Sequence, residues 1–256
     1  MADDVFAHVD KVKVGGIPIA RLDLETTADL MVRAVQKRPR GTRPLNCTSA
    51  NGEVIARYRS NPAFAKLIDD ADLVSADGQP LVFASKLFGS AALPERVATT
   101  DLYDLVAVRA ERAGLSFYLF GASEEVNRKT YELTRQKYPN LKIAGRSHGY
   151  LKGAALQGKI DEIDALAPDI LWLAMGVPTE QQFVARWQAR LPNVGMIKTS
   201  GGLFDFYSGA KPRAPKLVQT LGLEWAYRIL VEPRRLFWRY AVTNPVAIVQ
   251  LVRATA

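Results

Sequence analysis

Three observations predict an α/β chain built on a mostly parallel sheet. Short aliphatic or β-branched runs alternate with longer helical patterns along most of the chain. The composition, 48% hydrophobic and 23% charged, is that of an ordinary globular protein. The runs end in turn or cap chemistry, in ADGQP, GASEE, GVPTE and TSGG.

Taken in order, KVKVGGIPIARLD has period-two character around Gly15-Gly16 and predicts an N-terminal hairpin. Strands follow at RPLNCTS, ADLVSA, SFYLFGA, LKIAGRS, DILWLAM and VGMIKTS. Helical stretches such as TTADLMVRAVQKR, SEEVNRKTYELTRQKY and AALQGKIDEIDAL lie between them, at lengths that suit βαβ units. Prolines at 212 and 215 in SGAKPRAPK mark the clearest boundary. The expected organisation is an α/β body over residues 1–210 and a basic, amphipathic helical appendage over residues 211–256.

Charge singles out that appendage. From Lys211 onward eight basic residues face only Glu224 and Glu232, so most of the net charge of +8 lies in the tail. Within it, GLEWAYRILVEPRRLFWRY places Trp225, Ile229, Leu236 and Tyr240 near one helical face and Arg228, Arg235 and Arg239 on another. Pro233 sits where a second helix would start. Such a segment suits either a helix docked on its own core or an interfacial helix at a membrane surface. A basic, aromatic tail also admits a nucleic-acid-binding reading, although its arginines sit in an apolar helical frame.

The remaining composition narrows the class. One cysteine, Cys47, excludes an internal disulfide framework and fits a reducing cytoplasm. With His8 and His148 as the only histidines, a zinc cluster is not expected, and any metal would be oxygen-bound. The opening MADDVFAHVDK is acidic and lacks an apolar run, unlike a secretory leader. No stretch reaches the roughly 18 apolar residues of a membrane span, NPVAIVQLV being the nearest.

In an open parallel sheet, ligands collect at the carboxyl ends of the strands. That rule selects Ser49 and Asn51, Asp77 and Gly78, Gly121 and Ser123, Gly176 to Gln181, and Ser200 to Asp205 as candidates to share a crevice. Asp77 directly follows a strand, where a carboxylate could serve as a general base or Asp-Gly could simply make the turn. Asn51 before Gly52 fits a cap as well as a ligand contact. LFGASEE has the shape of a phosphate site, but Glu124 and Glu125 in the first helical turn favour a structural reading. It is not GxGxxG, so the dinucleotide fingerprint of an oxidoreductase is absent. Asp70 and Asp72 have a metal-binding spacing but precede a strand, which favours a helix-end turn.

The ordered series TSANGEV, LVSADGQPLV, PERVATTDL, LFGAS, HGY, ILWLAMGVPTEQ, SGGLFDFYSGAKPRAP and GLEWAYRILVEPRRLFWRY resembles the WecG/TagA/CpsF glycosyltransferases. The likeness runs from about Lys13 to Tyr240, and its last two motifs are long and specific. It implies a Rossmann-like body and inverting, metal-independent sugar transfer from a UDP-sugar to a polyprenyl-diphosphate-linked saccharide. No cofactor and no nucleic-acid partner are implied. The implied location is the cytoplasmic, inner face of the cell membrane, with the C-terminal appendage serving membrane and acceptor binding. By motif, Asp77 takes the place of the proposed base, while Ser49, Asn51 and Arg96 fall near the donor sugar. Tyr150, Gly176, Glu180, Gln181 and Asp205 fall where the nucleotide is thought to bind. Arg213, Arg228, Arg234 and Arg235 are candidates for the donor or lipid diphosphate. The chain departs from the family where relatives commonly read Pro-Lys-Gln-Glu and it reads Pro178-Thr179-Glu180-Gln181. The donor sugar stays open among N-acetylmannosamine, its uronic acid, glucose and glucuronic acid.

Overall fold

The computed structural model describes residues 5–256, so the first four residues of the acidic opening lie outside the described residues. The hairpin is present as β1 (Lys11–Val14) and β2 (Ile17–Ala20), paired antiparallel from Lys11↔Ala20 to Val14↔Ile17. Each of the six expected strand runs also forms a strand. They are β3 (Leu45–Ala50), β4 (Leu73–Ala76), β5 (Ser116–Gly121), β6 (Lys142–Ser147), β7 (Ile170–Ala174) and β8 (Met196–Thr199). Their order in the sheet is β4-β3-β8-β7-β5-β6, with β3–β8, β8–β7, β7–β5 and β5–β6 parallel. The chain forms two compact units, and the boundary falls within β3 itself, after Thr48.

The first unit comprises residues 5–8, Glu25–Thr48 and Thr99–Lys211. Its central strands β5 and β7 read as near-continuous apolar runs because both of their faces are covered. Alternation along β7 sends Leu171 and Leu173 into a cluster with Tyr118, Phe120, Phe183 and Trp187. Trp172 goes to the other face, against Tyr103 at a ring distance of 4.8 Å. The helices α1 (Leu24–Lys37), α5 (Thr99–Ala113), α6 (Glu124–Lys137), α7 (Gly153–Leu166), α8 (Thr179–Trp187) and α9 (Leu203–Tyr207) connect or cover these strands. In α1 the residues Ala28, Met31, Val32 and Val35 are buried at helical spacing. Ser123 caps α6 by accepting from Val126 N, and Glu124 and Glu125 fill its first turn, where the helix dipole favours them.

The second unit comprises Val9–Leu24, Ser49–Ala98 and Pro212–Ala256. It holds the hairpin, the last residues of β3, β4 and the helices α2 (Gly52–Ser60), α3 (Pro62–Asp69) and α4 (Gln79–Phe88). The tail adds α10 (Lys216–Thr220), α11 (Glu224–Val231) and α12 (Pro233–Arg253), the last opening at the expected proline. Gly15 and Gly16 turn the hairpin with φ of +58° and +90°, a backbone that side chains resist. The hairpin also binds the chain's end: Gly16 N–H donates to Ala254 O at 2.8 Å, and Ala256 N–H donates to Lys13 O at 3.0 Å. Asp70 forms the C-cap of α3, the helix-end turn expected for the Asp70/Asp72 pair.

The tail is therefore docked on one face and open on the other. Leu236, Ala247 and Leu251 of α12 are buried, and Arg239 pairs with Glu53 of α2 at 3.0 Å. Leu217, Leu230, Trp238 and Val242 stand exposed, Trp238 at 73%. Phe83, Leu87 and Phe88 of α4 are exposed apolar residues of the same unit. Among the described residues, no helix is long and apolar enough to cross a membrane.

Candidate functional site

The second unit assembles one group of candidates where β3 and β4 end. Asp77 N–H donates to Ala50 O at 2.8 Å, continuing the strand contact one residue past β4. Asn51 caps α2, its Oδ1 accepting from Glu53 N at 3.0 Å and Val54 N at 3.1 Å. Gly78 lies beside the Asn51 turn, where a Cβ would be in ordinary contact with the Asn51 Cα at 3.4 Å. Ser49, at the end of β3, is half-buried.

Arg96 enters the same place from the segment before α5. Val97 N–H donates to Ala76 O at 2.8 Å, which lays this segment along β4. The Arg96 Nε donates to Asp77 O at 3.2 Å, and Nη2 lies 3.4 Å from Asp77 Oδ1. Its Nη1 lies 2.8 Å from Oε2 of Glu224, at the start of α11. The Arg96 side chain is 15% exposed and each carboxylate partner 21%. Burial alone would lower the arginine's pKa, but Asp77 and Glu224 more than offset it and leave it raised. Arg213 opposes them as a neighbouring positive charge. This guanidinium stays charged and committed to two acids.

The other tail arginines are placed differently. Arg235 pairs with Glu232 at 2.5 Å, Arg234 is exposed in the first turn of α12, and Arg228 is half-buried in the last turn of α11.

The first unit holds the remaining candidates. Tyr150 is 70% exposed after β6, its N–H donating to His148 Nδ1 at 3.2 Å. Gly176 has φ +78° and its carbonyl accepts from Glu180 N at 3.1 Å, bringing the chain into α8 through a cis Val177–Pro178 peptide. Glu180 is 2% exposed, and its carboxylate accepts from Gly201 N at 2.9 Å. Burial pushes its pKa up to about 7, against the pull of Gly201 N–H and Lys198. Its side chain braces the turn after β8. Gln181 is buried as well, with Nε2 3.5 Å from Thr48 Oγ1, and Thr48 meets Thr199 Oγ1 at 2.7 Å. Asp205 pairs with Lys211 at 2.9 Å. A cavity of about 460 Å³ lined by Arg33, Arg109 and Arg112 includes none of these residues, and Arg109 there pairs with Glu25 and Asp29.

Three participants escaped the reading of the sequence. Glu224 was visible only as one of two acids in a basic tail. Thr48 and Lys198 were hidden within strand runs, Lys198 fully buried with Nζ donating to Thr199 O at 2.9 Å. A lone lysine in the apolar run MIKT was the available signal, since unpaired charges rarely enter a core.

Chemically, the second-unit group offers a carboxylate for proton transfer beside a fixed guanidinium. The first-unit group offers an exposed aromatic ring and backbone N–H groups in braced turns. Comparison with known proteins gives two findings. The model of the glycosyl transferase WecG/TagA/CpsF family matches residues 12–256. The N-acetylglucosaminyldiphosphoundecaprenol N-acetyl-beta-D-mannosaminyltransferase of Bacillus spizizenii (strain ATCC 23059 / NRRL B-14472 / W23) is 32% identical over 211 residues, 81% of this chain and 80% of that protein.

Proposed function

Because the chain belongs to the WecG/TagA/CpsF family of glycosyl transferases, we propose that it moves a sugar from a UDP-sugar to a polyprenyl-diphosphate-linked saccharide, with inversion and without a metal. The observation that carries the chemistry is the Asp77–Arg96 pair at the end of β4. In this reading the Asp77 carboxylate takes the proton of the acceptor hydroxyl as that oxygen bonds to the anomeric carbon. The bond from that carbon to the diphosphate oxygen breaks on the opposite face, and UDP leaves with the electron pair. Arg96, Arg213 and the arginines Arg228, Arg234 and Arg235 supply positive charge for the donor or lipid diphosphate. Ser49 and Asn51 lie near the sugar. Tyr150, Gly176 and Asp205 contact the nucleotide, while Glu180 and Gln181 hold the loops that do so.

The relative's name supports an N-acetylglucosaminyl diphosphate-lipid as acceptor and N-acetylmannosamine as the transferred sugar. The enzyme is further read as peripheral on the inner face of the membrane. Exposed apolar residues of α4, α10, α11 and α12, beside a surplus of arginine, support that reading. The test is UDP release from a panel of UDP-sugars with a short-chain polyprenyl-diphosphate N-acetylglucosamine acceptor. Acceptor-dependent release from UDP-N-acetylmannosamine, undiminished by EDTA, is expected. Release from no UDP-sugar overturns the donor class. Sedimentation with anionic vesicles is expected for the full chain, and its absence removes the membrane reading.

A further inference from the structure

Arg96 reaches two carboxylates with different atoms, and its shorter ionic contact is not to Asp77. Nη1 lies 2.8 Å from Glu224 Oε2, whereas Nη2 lies 3.4 Å from Asp77 Oδ1. Oε2 of Glu224 is buried and makes no aligned hydrogen bond, so its hold on the guanidinium is one of charge at close range. All three side chains are mostly buried, which reduces the salt screening and mobility that make surface pairs weak. The two acids of the tail divide their work: Glu232 pairs with Arg235 on its own helix, and Glu224 reaches out of the tail to Arg96. Arg213, at the start of the same tail, is a neighbouring positive charge that opposes the two acids at Arg96.

We propose that Glu224 is a positioning residue for sugar transfer: it anchors Arg96 so that Arg96 holds Asp77 in its working orientation. The inference rests on Asp77 being the base. When Asp77 accepts the acceptor's proton, Arg96 loses the charge of one partner. The contact with Glu224 then keeps the guanidinium in place through the step. The tail then contributes to the reaction through an acid, and a correctly docked α11 is a condition for an ordered site.

The experiment compares the steady-state kinetics of full-length Glu224→Gln, Glu224→Asp, Arg96→Ala and the Glu224→Gln/Arg96→Ala double variant on the short-chain lipid acceptor. Glu224→Gln is expected to lower kcat about tenfold or more, since small misplacements of reacting groups are costly, with donor KM within about twofold. Glu224→Asp, which keeps the charge on a shorter arm, is expected to recover part of the loss. The double variant is expected to be no slower than Arg96→Ala. A Glu224→Gln kcat within twofold of wild type overturns the proposal. So does a double variant that multiplies the two single losses, or a loss accompanied by failure to sediment with anionic vesicles. If Glu224→Gln does not fold, Glu224→Asp alone and in the Arg96→Ala background carries the same comparison. Asp77→Asn separates the two readings. If it turns over at the wild-type rate, the base assignment falls. A Glu224→Gln loss that vanishes in the Arg96→Ala background still supports Glu224 as the anchor of Arg96.

Discussion

Glu180 in the first unit and Asp77 in the second both follow the end of a parallel strand, and both were read from sequence as site residues. Their surroundings differ. Glu180 is buried at 2% exposure, its carboxylate held by backbone N–H groups, and desolvation raises its pKa to about 7. Asp77 keeps 21% of its side chain exposed and lies against the guanidinium of Arg96. A carboxylate that must receive a proton from substrate needs an opening toward it. Asp77 keeps one. Glu180 has the geometry of a brace, accepting from the turn that follows β8.

The sharpest way to break this comparison is Asp77→Asn. It is expected to lower kcat by about 10²- to 10⁴-fold, the usual worth of a general base, while UDP-sugar binding by calorimetry stays within about twofold. Near wild-type turnover would remove Asp77 from the chemistry.

The next largest effect is on stability and concerns Glu180. Its folded pKa, about 7, lies above its ordinary 4.5, so between these values the folded state holds more proton than the unfolded. Stability from this group is complete below the lower value and is lost as pH rises through the upper one, by about 3 kcal/mol. Urea unfolding at pH 5 and pH 8 is expected to show that fall in the wild type and a flatter response in Glu180→Gln. Equal pH dependence in both proteins would mean that the carboxylate is not a buried brace.

Arg96→Ala sharpens the other side. It leaves Asp77 and Glu224 mostly buried without their shared cation. A destabilisation of roughly 2 kcal/mol is expected, below the range for fully buried pairs because water still reaches the cluster. A denaturation midpoint indistinguishable from wild type would show that the two acids do not depend on the shared cation.

Much of the fold was legible because it depends on local rules. Alternating strand and helix patterns located all six sheet strands, Gly15-Gly16 located the hairpin turn, and Pro233 located the start of α12. The cap alternative at Asn51 and the structural reading of LFGASEE agree with the observed bonding of Asn51 and Ser123. The candidate site was legible only as a set of strand-end residues. Nothing local distinguishes the burial of Glu180 from the partial exposure of Asp77, because each is one acid beside a turn. Composition likewise could not choose between a docked and an exposed tail. The structure gives α12 one buried side through Leu236, Ala247 and Leu251 and one open side through Trp238 and Val242.

By itself the sequence determined the strand and helix pattern, the family motifs and the concentration of positive charge after Lys211, all properties of neighbouring residues. Only the tertiary structure decided which charges meet. Arg96 and Glu224 lie far apart along the chain, yet form the closest ion pair of the Asp77 group. Lys198 enters a core and Glu180 loses its water because of what packs around them. Pairing and desolvation energies depend on distance and burial in space, and one-dimensional spacing carries neither.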